Sequence, residues 1–252
     1  MAEDPDTLAW AEFGEFLRQP ESSEDYIDHV PWDTAGFDTS RPLLDIGCGS
    51  GLTTQVLAHR FTGTEVIAVE PDPLMRALLM RRVADDELLR DRVTVVPEPI
   101  TECWLPAESG GALLFNVIYF LSEPAREAFW ERMSQVMVPG APILLSRSYG
   151  GVPVTEVPMT LLRKATIGRQ EYQRWFAARP FFDQRSREDR VEIINTYRVL
   201  RDGEQVREVV TRITPQGLDE ETVLGEIPIG RFSIEELDER YVAVRRAPDL
   251  RR

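Results

Sequence analysis

From Arg41 onward, short apolar runs alternate with stretches whose apolar positions recur at helical spacing. Leu43–Ile46 predicts a strand, a glycine-rich turn follows, and Leu52–Arg60 carries a helical pattern. Glu65–Val69, rich in β-branched residues, predicts a second strand that ends at Glu70. Asp72 followed by Pro73 is a cap with proline at the first helical position, and that helix runs through Leu74, Ala77, Leu78 and Met80. Val93–Val96, Ala112–Ile118 and Ile143–Ser146 predict three more strands, the last preceded by a helix from Ser122 through Phe129, Met133 and Met137. Strands alternating with helices imply right-handed crossovers and a parallel sheet covered on both faces.

The ends of the chain break this rhythm. Trp10, Phe13, Phe16 and Leu17 share roughly one helical face, and Pro20 stops that helix; a second short helix is expected around Ser23–His29. Gly150, Gly151 and Pro153 mark a boundary after the fifth strand. Residues 155–178 read as helical, Val191–Leu200 and Val206–Ile213 as a hairpin about Asp202-Gly203. Glu221–Ile229 reads as a strand, Ser233–Asp238 as a short helix and Tyr241–Arg245 as a last strand. The expected organisation is a helical lead-in (1–40), a doubly wound α/β core (41–150), a cap (151–220) and C-terminal strands (221–252).

The chain has 252 residues, 42% of them hydrophobic, enough for a substantial core. Its net charge of −14 opposes generic binding to nucleic acid or to anionic lipid, and no basic run interrupts the acidic balance. No apolar stretch approaches the ~18 residues of a membrane span. Two cysteines, Cys48 and Cys103, and two histidines, His29 and His59, suit neither a disulfide framework nor a metal site. The acidic start after Met1 is unlike a signal peptide, so a cytoplasmic setting is expected.

The chemistry concentrates in Asp45-Ile46-Gly47-Cys48-Gly49-Ser50-Gly51. Glycines at alternate positions between a strand and a helix let the backbone bend and approach a ligand, and the helix start offers free N–H groups. Glu70, at the end of the next strand, would stand beside that loop, where a carboxylate can accept from both hydroxyls of a ribose. Leu52 stands where the dinucleotide fingerprint needs glycine, and no phosphate-loop motif is present. The reading is a nucleoside-bearing cofactor without a pyrophosphate clamp.

Together with Val69-Glu70-Pro71-Asp72-Pro73 and Val138-Pro139-Gly140-Ala141-Pro142-Ile143-Leu144, this run resembles the class I S-adenosylmethionine-dependent methyltransferases over about residues 41–149. The cap hairpin, Val191–Ile213, resembles in outline the lid of natural-product methyltransferases, including sugar N-methyltransferases. The resemblance implies a doubly wound α/β sheet of strand order 3-2-1-4-5 with antiparallel C-terminal strands and a small α+β cap. It implies S-adenosylmethionine as cofactor, S-adenosylhomocysteine as product, a small organic acceptor and a homodimer contact through the cap hairpin. Gly47, Cys48, Gly49 and Gly51 would hold the methionine part, with Asp45 beneath them. Glu70 would bind the ribose, and Pro71, Asp72, Glu98, Pro99 and Ile100 would flank the adenine. Asn116, Val117 and Tyr119 would face the methyl group and the acceptor, and Tyr26 and His29 of the lead-in would fold over the site. Tyr119, His29 and Tyr149 are the candidates for acceptor contact or base. The region Asn116–Leu121 lacks the histidine that related enzymes often place there, and Pro99 lacks the N–H that often serves the adenine. The competing readings are a cyclase or isomerase using the same cofactor, a non-catalytic binding subunit and a nicotinamide oxidoreductase.

Overall fold

The structure, a computed structural model, describes residues 5–14, 17, 26–147, 155–184, 188–214 and 220–248. After a short N-terminal helix, α1 (Pro5–Ala9), a π-helical turn (Trp10–Gly14) and a 3-10 turn (Tyr26–His29), strands and helices alternate. They run β1 (Leu43–Ile46), α2 (Leu52–Arg60), β2 (Val66–Val69), α3 (Pro73–Asp85), α4 (Glu87–Arg92), β3 (Val93–Val96), β4 (Gly111–Leu114), α5 (Glu123–Val136) and β5 (Pro142–Ser146). Four long strands follow, β6 (Val157–Ile167), β7 (Gln170–Asp183), β8 (Glu188–Arg201) and β9 (Glu204–Ile213), then α6 (Glu220–Gly225), β10 (Phe232–Glu236) and β11 (Tyr241–Arg246). The chain forms two compact units: Tyr26–Tyr149 with Leu218–Arg252, and Met1–Asp25 with Gly150–Gly217. The lead-in expected over 1–40 is therefore divided between them.

The first unit is built on a seven-stranded sheet of order β10-β11-β5-β4-β1-β2-β3. β1 to β5 are mutually parallel, and β11 runs antiparallel to β5 and β10 to β11. Alternate side chains of each strand point to opposite faces. Leu44, Ile46, Ile67 and Val69 meet Phe129, Trp130 and Met133 of α5 on one face. Leu43, Val66, Ala68 and Leu113 meet Leu57 of α2, Leu79 of α3 and Leu89 of α4 on the other. Burial on both faces is why these strands read as unbroken apolar runs. The expected strand over Ala112–Ile118 stops at Leu114, because Asn116 takes a positive φ of 58° and Ile118–Phe120 coil into a 3-10 turn. Buried Arg126 on α5 ties that turn down. Its Nη1 donates to the Leu121 carbonyl at 2.6 Å, while Nε and Nη2 reach the two oxygens of Glu226, just past α6, at 2.6 and 2.7 Å.

The second unit is a four-stranded antiparallel sheet, β6-β7-β8-β9. Residues 155–178, expected as helix, are β6 and most of β7, turning at Gly168 with φ +60°. Their spacing suits a helix, but Val157, Thr160, Thr166, Ile167, Tyr172 and Trp175 favour strands, and β8 supplies the pairing partner. The β8–β9 hairpin turns at Asp202-Gly203 as expected, both residues at positive φ. α1 and the π-helical turn lie on this sheet: Phe13 stacks on Tyr197 at 5.0 Å, and Glu12 pairs with Arg207. Phe16, the third residue of the expected face, lies outside the described residues.

Two C-terminal elements exchange their expected characters. Glu221–Ile229 contains helix α6, whose Glu220 and Glu221 suit a helix N-terminus and whose Val223 is fully buried. Ser233–Asp238 contains strand β10, drawn out of its helical spacing by pairing with β11.

The Arg126–Glu226 pair makes an asymmetric prediction. Arg126 is only 3% exposed, whereas the Glu226 side chain keeps 26%. Glu226→Gln strands a buried guanidinium and is expected to cost about 3–5 kcal/mol of stability, whereas Arg126→Met leaves a carboxylate that water still reaches and costs less. Urea unfolding of both variants checks the order.

Candidate functional site

The C-terminal ends of the parallel strands lie at one edge of the sheet, and the strand order reverses between β1 and β4, the position at which open α/β sheets take their ligands. The turn after β1 folds sharply: Gly47, Gly49 and Gly51 have φ of 64°, 57° and 84°. A side chain at Gly47 would collide with Val117, 2.5 Å from the ideal Cβ position, so the loops after β1 and β4 lie directly against each other. A Cβ at Gly49 would meet nothing within 4 Å, so the loop is open there. The loop hangs from β2 by Gly47 N–H and Cys48 N–H, which both donate to the Val69 carbonyl at 2.8 and 3.2 Å. α2 then begins without a side-chain cap, leaving its first N–H groups to another acceptor.

Glu70 sits at the centre of this arrangement. Its Oε2 accepts from Gly49 N–H at 2.7 Å and its Oε1 from Asp72 N–H at 2.8 Å. Asp72 in turn caps α3 by accepting from Leu74 N–H and Met75 N–H, both at 2.9 Å. Glu70 is 6% exposed, and burial pushes its carboxyl above the usual range against the opposing pull of those two N–H bonds. Asp45, 3% exposed under the loop, accepts from Thr53 Oγ1 at 2.8 Å and Thr54 Oγ1 at 2.6 Å. Burial raises its pKa to about 6, with the nearby Glu70 charge adding to the rise. Burial also lifts the Cys48 thiol well above its ordinary value, so Cys48 serves the loop as a small side chain and not as a thiolate.

On the β4 side, Asn116 N–H donates to Ser146 Oγ at 3.0 Å, joining the ends of β4 and β5. Tyr119 and Phe120 follow in the 3-10 turn with rings 4.7 Å apart, Phe120 being 75% exposed. Arg147, just past β5, faces Glu220 and Glu236 at 3.5 and 3.4 Å.

The structure thus brings together Asp45, Gly47, Cys48, Gly49, Gly51, Glu70, Pro71, Asp72, Asn116 and Val117, along the ends of β1, β2 and β4. Glu98 and Pro99 are exposed past β3, while the Ile100 side chain is buried in the core. His29 is exposed at the end of its turn; Tyr26 lies in the same turn, its side chain outside the described residues, as is all of Tyr149. Sequence reasoning missed Thr53, Thr54, Arg76, Arg82 and Ser146. The adjacent hydroxyls Thr53 and Thr54 at the start of an otherwise ordinary helix were the one available signal.

Comparisons with known proteins fit this geometry. Residues 43–140 match the methyltransferase domain family. A trans-aconitate 2-methyltransferase of Sinorhizobium fredii is 25% identical over 157 residues, covering 62% of this chain and 54% of that protein. The chain thus spans about half the length of that curated relative. The fold is shared with DesVI of Streptomyces venezuelae, with TM-score 0.65 and 13% identity over 96% of this chain and 93% of the other. It is shared also with the sugar N-methyltransferase KedS8 of Streptoalloteichus, with TM-score 0.62 and 16% identity over 96% and 88%.

Asp45 gives the loop a pH signature. Its folded pKa of about 6 lies above the ordinary 3.8, so the folded state holds a proton that the unfolded chain releases. Its contribution is favourable below pH 3.8 and is lost as pH rises towards 6. Asp45→Asn is therefore expected to gain stability relative to the parent by on the order of 3 kcal/mol between pH 4 and 6.5. Parallel urea titrations across that range measure the difference, and a flat difference would refute a buried, proton-retaining Asp45.

Proposed function

We propose that this chain, whose residues 43–140 are a methyltransferase domain, transfers a methyl group from S-adenosylmethionine to N or O of a small organic acceptor. The observation that carries the reading is the Glu70 carboxylate held 2.7 Å from Gly49 N–H, directly beneath the open part of the glycine loop. The residues present fit the cofactor. Each Glu70 oxygen uses one lone pair on backbone and keeps another for a ribose hydroxyl. The uncapped start of α2 suits the amino-acid carboxylate. Pro71 and Asp72 border the adenine side, and Glu98, Pro99 and Ile100 continue it. The Asn116–Phe120 segment borders the acceptor side.

When bound, S-adenosylmethionine supplies an electrophilic methyl group on a positively charged sulfur. The chain's own work is to hold the acceptor atom in line with that carbon, which effective-molarity arguments value at up to ~7–11 kcal/mol. As the acceptor forms its new bond to carbon it gives up a proton, taken by water or, where the acceptor is a weak acid, by a base such as His29, with Tyr119 as an acceptor contact. The Asn116–Leu121 segment offers no histidine to act as base, which favours an amine or an already acidic acceptor. The acid named in the trans-aconitate relative and the amine chemistry named in KedS8 both fit that reading. The same reading includes a place in secondary metabolism, a cytoplasmic setting and a homodimer through the cap sheet, where β6 and β9 each pair on one side only among the described residues.

Calorimetric titration of S-adenosylhomocysteine tests the cofactor site. We expect binding and thermal stabilisation of the parent protein, and affinity at least about 10-fold weaker for Glu70→Ala, which loses a charged acceptor. No heat and no stabilisation at ~1 mM ligand would overturn the reading. With an acceptor in hand, product mass separates the alternatives, since methyl transfer adds one CH₂ and cyclisation or isomerisation adds nothing.

A further inference from the structure

We propose that helix α3 carries two positioning arginines that hold the two ends of the cofactor site separately. Arg82 sets the glycine-loop peptide that faces the amino-acid end, and Arg76 sets the turn that faces the adenosine end. The proposal rests on the cofactor reading above and assigns residues that lie outside the glycine and acid motifs.

α3 points three side chains at these loops, each three residues from the next: Arg76, Leu79 and Arg82. Leu79 fixes how closely the helix approaches, since a Cβ on Gly51 would lie 2.4 Å from its Cδ1. Arg82 Nε donates to the Ser50 carbonyl at 3.0 Å, and its Nη1 donates to Gln55 Oε1 in the first turn of α2 at 2.8 Å. The N–H of the same Ser50–Gly51 peptide donates to the Cys48 carbonyl at 2.9 Å. That peptide is therefore gripped at both ends and cannot flip, although all three glycines around it tolerate alternative backbone angles. Its fixed orientation decides where the N–H groups at the start of α2 point.

Arg76 acts on the other loop. Its Nη1 donates to both the Glu70 and the Pro71 carbonyls at 2.9 Å, across the turn that delivers the Glu70 carboxylate and Asp72. Both bonds come from one guanidinium nitrogen, so Arg76 ties the two carbonyls to a single point on α3. One rigid helix thus sets two loops whose relative position defines the length of the ligand. An arginine that merely fastened α3 to the core would affect all ligands alike. Arg82, acting on the amino-acid end alone, would not.

The test uses two probes that share adenosine but differ at the other end: S-adenosylhomocysteine, and 5′-methylthioadenosine, which lacks the amino-acid portion. Both are titrated calorimetrically into the full chain and its Arg82→Met and Arg76→Met variants. Arg82→Met is expected to weaken S-adenosylhomocysteine about 10-fold while changing methylthioadenosine less than about 2-fold. Arg76→Met is expected to weaken both by the same factor, about 5- to 10-fold. Should Arg82→Met not fold, Arg82→Lys, which keeps the charge and loses the fork, reads the same ratio. Equal weakening of the two probes by the Arg82 variant, or none, overturns the division of labour while the cofactor reading stands. Binding of neither probe by the parent protein overturns the cofactor reading and this proposal together.

Discussion

The glycine loop, the start of α3 and the end of β2 meet at one carboxylate. Glu70 accepts from Gly49 N–H with one oxygen and from Asp72 N–H with the other. The glycine loop has few side chains of its own to hold it there, and the other loop, through Pro71 and Pro73, has its one polar side chain, Asp72, occupied in capping α3. A neutral residue at position 70 would bond at most one of them as strongly, since charge-assisted hydrogen bonds are roughly twice as strong as neutral ones. The arrangement comes from the sheet. β2 lies beside β1 in parallel register, Ile46 opposite Val69, so the residue after each strand emerges at the same level. Two buried, flat-packed strands thus bring an acid and a bent backbone within hydrogen-bond reach, and no flexible segment has to search for that contact.

This much was legible from residue order. Apolar runs, the Asp72-Pro73 start of α3 and the alternating glycines each carry a local signal that survives folding unchanged. The strand order came with the methyltransferase resemblance; crossover handedness alone says only that parallel strands joined by helices admit few arrangements. The Asp202-Gly203 hairpin was equally local, since its positive backbone angles need those residue types. What could not be read depends on partners distant in the chain. β6 and β7 have helical spacing and become strands because β8 offers fourteen residues of register to β7. β10 is short and polar enough for either state and is decided by β11. α6 is decided by a single buried residue, Val223, and by the acids at its start.

The same distinction runs through the site. Glycines and a strand-end acid declare themselves by type and position. Thr53, Thr54, Arg76 and Arg82 do not, because a threonine or an arginine on a helix is ordinary until the helix is docked. Arg82 reaches back to Ser50, and only the packing of Leu79 on Gly51 makes that reach possible. Second-layer contacts of this kind set the precision of a site without leaving a motif, so they are the natural blind spot of pattern reading.

Asp45 and Glu70 also share an electrostatic burden. Both are buried, both have raised pKa values, and the charge of Glu70 pushes Asp45 further up. Hydroxyl donors relieve one and backbone N–H groups the other, yet among the described residues neither forms an ion pair with a lysine or arginine. Arg76 is the nearest compensation for Glu70, and it spends its hydrogen bonds on carbonyls. A fold selected for stability alone would replace such residues with apolar ones of similar size. Keeping two unneutralised carboxylates beneath an open loop makes sense when the visitor brings the missing positive charge. A cationic ligand then stabilises the ionised forms, and by linkage its affinity rises with pH as those groups lose their protons. The two buried carboxylates are therefore of the right sign for a cofactor that carries an ammonium and a sulfonium, and of the wrong sign for an anionic nucleotide.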